Sequence, residues 1–246
     1  MASTNNILNS ASSTSIASTT QTFTVSNSDN TGTSAAQVII SVDPGSSGDP
    51  QDSFIVTGVN TWSMGCDNSD SDNFVIAKNA ALGTFNSHVI TPAGLNRFPL
   101  QPCFLAIPTG NQLNATGNGA TTYTIGTTVG MTEIFDKGSN FSGTTFTAPV
   151  TGQYMFIGSV TLSNCLVNTA AQIQIILSGA GKSAVKTQFR PAAATDISAN
   201  ICYITSMVAG TTAICRVAGI GEATNRNTVV GGTANPVTYF AGYLMC

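Results

Sequence analysis

The sequence predicts an all-β protein with a β-rich N-terminal part and a C-terminal jelly-roll sandwich. The first observation is a period of two, in which apolar side chains recur at alternate positions, as at Val38, Ile40 and Val42. The second is that Gly, Asn, Asp and Pro separate these short stretches, as they separate strands joined by turns. The third is that no stretch has a helical period, and about eight strands in the last part of the chain fit a jelly roll.

Charged residues are scarce, at 8% of the 246 residues, against about a quarter in an ordinary soluble protein. Residues 1–99 carry seven acidic and two basic residues, a net charge of −5, and residues 100–246 carry four and six, a net charge of +2. Lys and Arg do not cluster, so nucleic acid is not an expected partner. With no secretory signal and no membrane-spanning stretch in the sequence, we expect no membrane insertion. The chain is then either cytoplasmic or leaves the cell by another route, of which assembly into a virus particle is one.

The N-terminal part divides into two segments. Residues 1–21 are rich in Ser, Thr, Asn and Ala, and we expect a tail that is flexible alone or ordered by assembly. Residues 22–99 contain short β-prone stretches, such as Phe54–Val56 and Phe74–Ile76, with few apolar residues. A segment with so few apolar residues can bury more surface by pairing with copies of itself. We therefore predict a stalk or attachment module within an oligomer.

Residues 92–102 carry three prolines and predict a linker, after which residues 100–246 form the head. In the head, strands become longer and more apolar. The predicted strands are 103–107, 121–126, 131–135, 144–148, 152–162, 171–178, 198–207, 211–218 and 237–245.

Two motifs of the head carry a resemblance to a known family. The first runs from Phe146 through Pro149 and Gly152 to Tyr154 and Phe156, where Pro and Gly form a turn into a long strand. The second is the closing stretch with Phe240, Gly242, Tyr243 and Leu244. Together they resemble the globular head of complement component 1q, a member of the TNF-like jelly-roll superfamily.

This resemblance implies a homotrimer whose first and last strands lie side by side. It places Cys103 next to Cys246 as one candidate disulfide, and Cys202 with Cys215 across a hairpin is a second candidate. The alternative is that the cysteines are free buried thiols, which behave as small apolar side chains.

The stretch from Trp62 to Ile76 resembles stalk segments of phage tail fibres and related virion proteins. Its Asp67, Asp70 and Asp72 form an acidic turn, and calcium is the candidate ligand because it takes several oxygen ligands. The alternative is a turn whose carboxylates cap its own backbone. By resemblance to trimeric heads, Asp136, Asp196 and Glu222 are further calcium candidates near the trimer axis.

Nothing in the sequence predicts an enzyme. His88 is the only histidine, and no nucleophile motif such as GxSxG accompanies it. The predicted function is a trimeric virion fibre or decoration protein that assembles through its N-terminal tail and binds a host-surface glycan or protein. The alternative is a subunit of an extracellular filament or surface layer. A carbohydrate-cleaving fibre is a third hypothesis, and it requires clustered acids that the sequence does not show.

Overall fold

The computed structural model describes residues 26, 37–43, 48–166, 169–178, 183–189, 196–232, 234 and 236–246. The predicted tail, residues 1–21, lies outside the described residues. Every regular element of the described part is a β-strand, which confirms the predicted all-β class. The strands are β1 (Gln51–Val56), β2 (Asn60–Asp67), β3 (Asn73–Ala77), β4 (Asn86–Ile90), β5 (Asn96–Arg97), β6 (Cys103–Pro108), β7 (Gln112–Thr116), β8 (Tyr123–Thr124), β9 (Met131–Lys137), β10 (Phe141–Ser142), β11 (Thr145–Thr147), β12 (Gly152–Ser163), β13 (Ala170–Leu177), β14 (Ser183–Phe189), β15 (Ile197–Met207), β16 (Thr212–Ile220), β17 (Asn227–Val229) and β18 (Tyr239–Leu244).

The N-terminal strands form one antiparallel meander in the order β1-β2-β3-β4-β5. Only one side of this sheet is covered by its own chain. Val75, Ala77, Leu82 and Val89 form a small buried cluster there, with Leu82 supplied by the loop between β3 and β4. On the opposite side of the sheet, the described residues form no comparable buried cluster.

Residues 37–43 are extended but are not paired with any strand in the described part of the chain. The sequence predicts a strand here from the apolar positions Val38, Ile40 and Val42, and all three side chains are exposed. A strand is stable only when its backbone N–H and C=O groups find partners. The apolar alternation of residues 37–43 was therefore not sufficient to make this segment a paired strand.

The head is a jelly roll, as the order of its strands shows. One sheet has the order β10-β11-β16-β13-β14, and the other has β9-β6-β18-β12, with β15 pairing the free side of β12. Among the eight strands β6, β11–β16 and β18, the first pairs with the last (β6 with β18), and the second with the seventh (β11 with β16). The third and sixth pair (β12 with β15), and so do the fourth and fifth (β13 with β14). This is a long hairpin rolled into two facing sheets, the jelly-roll topology.

Aromatic rings fill the middle of the sandwich. The Phe104 ring centroid lies 4.8 Å from that of Phe141, 5.0 Å from that of Phe146 and 5.0 Å from that of Phe240. Such pairs contribute about 0.5–1.5 kcal/mol each beyond the burial of their area. The motif residues Phe146, Tyr154, Phe156 and Phe240 all belong to this core.

Six strands lie outside the stretches that the sequence predicts: β4, β5, β7, β10, β14 and β17. Four of them, β5, β7, β10 and β14, are at sheet edges. An edge strand is held by backbone pairing on one side and often lacks alternating apolar residues, so its sequence carries little signal. One of them, β5, lies inside the proline-containing stretch 92–102.

Candidate functional site: an apolar face and a polar cluster of the head

The sheet that contains β6, β12, β15 and β18 has an apolar outward side. Side chains alternate along each strand, so Tyr154 and Phe156 enter the core whereas Met155 and Ile157 point away from it. Strand pairing aligns the outward residues in rows, one of which runs from Leu105 through Ala241 to Ile157. We call this outward side the head face; its residues are Cys103, Leu105, Phe135, Met155, Ile157, Cys202, Ile204, Ala241 and Tyr243.

The outward side of the other sheet has a different character. It carries Gln172 and Gln174 on β13, and Arg216 lies opposite Gln174 on β16. Polar outward residues are what one expects where a sheet meets water. The head face instead leaves Phe135, Ile204 and Tyr243 exposed, at 44%, 53% and 39% of their full surface.

A hollow of about 520 Å³ indents the head face. Its walls include Cys103, Phe135, Ile157 and Tyr243 from the face itself, and Phe98 from the stretch before β6. This volume can hold a large apolar side chain or a small group of side chains. Its lining is apolar apart from a few polar atoms at the rim.

One charged residue, Lys137, lines this hollow beside Cys103. Burial raises the pKa of the Cys103 thiol; the charge of Lys137 opposes this rise and that of Asp136 adds to it. The thiol is therefore a poor nucleophile at neutral pH, because the thiolate is the reactive form.

A buried polar cluster lies at the opposite end of the sandwich from the start of β6. Glu222 Oε1 accepts hydrogen bonds from Leu166 N (3.0 Å), Thr169 Oγ1 (2.8 Å) and Asn227 Nδ2 (2.6 Å). Arg226 Nε lies 3.5 Å from Glu222 Oε2. Burial raises the pKa of Glu222, but these three hydrogen bonds and the charge of Arg226 outweigh it, so the pKa lies below the usual carboxyl value.

The cluster holds loops together rather than opening onto a ligand. Asn227 is fully buried, and a Cβ at Gly219 would overlap its Oδ1. Two hydrogen bonds of Thr116 Oγ1, from Gly219 N at 2.8 Å and to Thr121 O at 2.6 Å, tie in the adjoining strand. Hydrogen bonds between buried polar groups hold the backbone segments that carry them in one arrangement. Here they hold the loops around Glu222 and Asn227.

The motif residues have distinct places in the head. Pro149 lies in the turn between β11 and β12, and Gly152 begins β12. Tyr154 is buried, and its hydroxyl donates to Val150 O at 2.7 Å; burial raises the pKa of that hydroxyl. Gly242 faces the core, and its neighbour Tyr243 faces outward on the head face.

The acidic turn binds its own backbone. Asp67 is fully buried, and its Oδ1 accepts from Ser69 N (3.1 Å), Ser69 Oγ (2.7 Å) and Asp70 N (3.1 Å). Asp70 and Asp72 are exposed. Within the described residues no group of three His, Cys, Asp or Glu side chains is placed to hold a metal ion. Asp136, Asp196 and Glu222 likewise belong to no such group among the described residues. Asp136 instead accepts hydrogen bonds from backbone N–H groups of the turn after β9.

Neither candidate disulfide is formed in this structure. It does not bring Cys202 to Cys215, because Cys202 lies on the head face and Cys215 is buried in the core from the other sheet. Cys103 and Cys246 do lie on neighbouring strands, but Cys103 pairs with Tyr243, three positions before Cys246. Their Cα atoms are therefore about 10 Å apart along the strand, beyond the roughly 7 Å that a disulfide spans.

The head face is the feature that the motifs did not reveal. One signal for it was available, because β12 carries Met155 and Ile157 on one side as well as Tyr154 and Phe156 on the other. A strand that is apolar on both sides is typical of burial on both sides. The rows across the sheet, however, required the strand pairing.

Comparisons with known proteins match part of the chain. No family model matches the chain, and no curated protein matches it. Solved structures that match include murine APRIL at pH 8.5 (13% identity, TM-score 0.40) and the globular domain of zebrafish complement 1qA protein (11%, 0.40). A third is Eiger TNF from S. frugiperda (8%, 0.41). Each match covers 59% of this chain, and 99%, 98% and 93% of the respective structures.

In the described residues, no helix is both long and apolar enough to span a bilayer. The assignment of the head as a jelly roll rests on the strand order of its two sheets. The head of this chain is a jelly-roll sandwich in which one outward side carries the apolar head face and the other mixes polar and apolar residues.

Proposed function

We propose that this chain is a non-enzymatic, homotrimeric fibre or decoration protein of a virus or phage particle. In this proposal the heads associate through the head face, the N-terminal part anchors the trimer to other particle proteins, and the far end of the head binds a host surface. The scarcity of charge and the resemblance of residues 62–76 to fibre stalks support a place in an assembly.

The observation that carries self-association is the contrast between the two outward sides of one sandwich. Burial of apolar surface stabilises by about 25 cal/mol per Å², and monomeric proteins rarely leave a large contiguous apolar patch in water. The head face groups Phe135, Ile204 and Tyr243, all of them exposed. The other outward side mixes Ile176 and Ile214 with Gln172, Gln174 and Arg216. A second copy with the same face supplies apolar surface of matching chemistry.

Light scattering on the purified chain at micromolar concentration tests this. We expect a mass close to three times the 25.2 kDa of one chain. Ile157→Glu, at the centre of the head face, should give monomers because it buries an unpaired charge. Ile176→Glu is the matched control: Ile176 is also half-buried at an outward position, but on the other sheet. A stable monomer of the unmodified chain would refute the trimer.

Attachment is assigned to the end of the head remote from the N-terminal part. The N-terminal part joins the head at Cys103, the first residue of β6. Cys103 pairs with Tyr243 near the end of β18, so the entry of the chain into the head and its C-terminus lie at the same end of the head. The opposite end exposes Asn118 and Asn164. Asn118 Oδ1 accepts from Ala120 N and Thr121 N, and Asn164 bonds to Arg226. Each amide has a further N–H group that suits a sugar hydroxyl. Glycan-array binding by the trimer, compared with an Asn118→Ala, Asn164→Ala variant, tests this assignment, and unchanged binding by the variant would contradict it.

The filament hypothesis is favoured by one observation. Strand β1 is an unpaired sheet edge, and every residue from Asp52 to Val56 is exposed. Such an edge is a template for strand addition by another chain. Imaging of intact particles with a label on the C-terminal head separates the two functions, since label at the particle surface supports the fibre and label along free filaments supports the alternative.

A further inference from the structure

The open side of the N-terminal sheet carries more large apolar side chains than its covered side. Alternation along β1–β4, and the pairs Phe54–Trp62, Met64–Ile76 and Phe74–Ile90, place these side chains together. We call this open side the N-terminal face; its residues are Phe54, Trp62, Met64, Phe74, Ile76 and Ile90.

The covered side shows how little of this sheet is held by the chain itself. Its buried cluster consists of Val75, Ala77, Leu82 and Val89, without an aromatic ring. On the N-terminal face, Phe54 is 57% exposed, and Trp62 and Phe74 are about two-fifths exposed. The exposed side chains of this sheet are therefore larger than the buried ones. Folded proteins usually show the reverse, with the large apolar side chains buried.

Charge is nearly absent from the N-terminal face. Within strands β1–β4, Asp52 is the one charged residue whose pairing puts it on this side, and it lies at the edge opposite Met64. Asp67 belongs to the covered side, where it is buried. A face without charged residues at its centre has the composition of the core of a permanent interface.

The chain's own residues 37–43 cover one corner only. Val38 and Ile40 line a hollow of about 220 Å³ together with Met64, Cys66 and Phe74. Phe54 and Trp62 remain 57% and 40% exposed with this segment in place. Most of the N-terminal face therefore still needs a partner.

The N-terminal face and the head face are adjacent. His88, which pairs with Ile76 on the N-terminal face, stacks on Phe98 with ring centroids 4.7 Å apart and an angle of 11° between the rings. Phe98 in turn lines the hollow of the head face with Cys103 and Tyr243. The two rings join the two apolar faces into one continuous strip.

The size of the strip fits one interface. Five strands at about 4.8 Å, each about five residues long, give a sheet face of roughly 400 Å². A stable protein–protein interface buries about 800 Å² on each partner. The N-terminal face alone falls short of that area, so a stable interface needs it to continue onto the neighbouring head face.

We infer that the N-terminal face is a contact with a second copy of this chain, formed side by side with the head-face contact. This inference rests on the proposed self-association and extends it along the chain. The N-terminal sheets then share one core between copies, which supplies the burial that each sheet lacks alone.

Trp62 provides the test, because it is the single tryptophan of the chain and lies on the N-terminal face. Acrylamide quenching of its fluorescence in the full chain, followed by light scattering on the same samples, reports both contacts. We expect the quenching constant to be several-fold lower in the oligomer than in the monomeric Ile157→Glu variant.

A matched pair of variants on β1 locates the contact. Phe54 and Ile55 are neighbours with similar exposure, 57% and 65%, and they point to opposite sides of the sheet. Phe54→Lys should weaken association at least about tenfold, the effect of losing one buried anchor residue, and should restore quenching of Trp62. Ile55→Lys should leave both unchanged.

The outcomes separate the two proposals. An oligomer in which Trp62 is as quenchable as in Ile157→Glu, and in which Phe54→Lys associates normally, overturns the N-terminal contact and leaves the head contact standing. A monomeric unmodified chain overturns both. Dilution of the unmodified chain until light scattering shows monomers gives a second reference for quenching, so an Ile157→Glu variant that fails to fold does not decide the result.

Discussion

Replacing Gly242 by alanine tests the packing of the aromatic core directly. Gly242 lies in β18 between β12 and β6, and its α-carbon faces the core. A Cβ at this position would lie 2.6 Å from Phe156 Cδ1 and 2.8 Å from Phe104 Cε1. Unstrained carbon atoms approach to about 3.5 Å, so at least one ring would have to move by about 0.9 Å.

The rings have little freedom to move. Phe104 has ring neighbours at 4.8 Å and 5.0 Å, and Phe156 has Phe146 at 5.6 Å and Phe240 at 5.7 Å. Overpacking of a tight core costs about 1–3 kcal/mol, and we expect the upper end because two rings are crowded at once. A loss of about 3 kcal/mol is a large part of the roughly 5–15 kcal/mol by which a domain is stable.

Urea unfolding followed by circular dichroism, at one fixed protein concentration, measures this loss. Gly110→Ala is the control, because no heavy atom lies within 4 Å of a Cβ there and its φ is not positive. Combining Gly242→Ala with Phe104→Leu should cost less than the two changes added, since the smaller side chain makes room. A Gly242→Ala protein within about 0.5 kcal/mol of the unmodified chain would refute the described packing.

Three further outcomes are expected. In the native chain a maleimide should label exposed Cys246 rapidly but Cys215 only after unfolding, because burial raises the pKa of the Cys215 thiol; mass spectrometry of the peptides reads this out. The lowered pKa of Glu222 means that its stabilisation is full above the ordinary carboxyl pKa of about 4.3 and is lost as pH falls through the folded pKa. The urea midpoint of Glu222→Gln should therefore fall less than that of the unmodified chain on acidification, and an equal fall contradicts the assignment. Asp136→Ala removes the acceptor of two backbone N–H groups, so we expect a loss of about 2 kcal/mol in the same urea assay.

Local patterns predicted the strands that pack in the core. The alternation from Tyr154 to Phe156 identifies β12, and the closing stretch with Phe240 identifies β18. Both rows of side chains are buried in the structure. Period-two alternation was sufficient because a strand buried on one side must place its apolar residues on that side whatever its partners are.

The sequence by itself determined the all-β class, the long core strands and the residues that enter the core, since these depend on side-chain periodicity and turn chemistry along the chain. Only the tertiary structure decided which outward residues share a face, since the row from Leu105 to Ile157 joins strands that are distant in sequence. It also decided that Asp67 caps its own turn and that Cys202 and Cys215 lie apart. These outcomes depend on strand pairing and on the sheet to which each residue belongs, which no local pattern encodes.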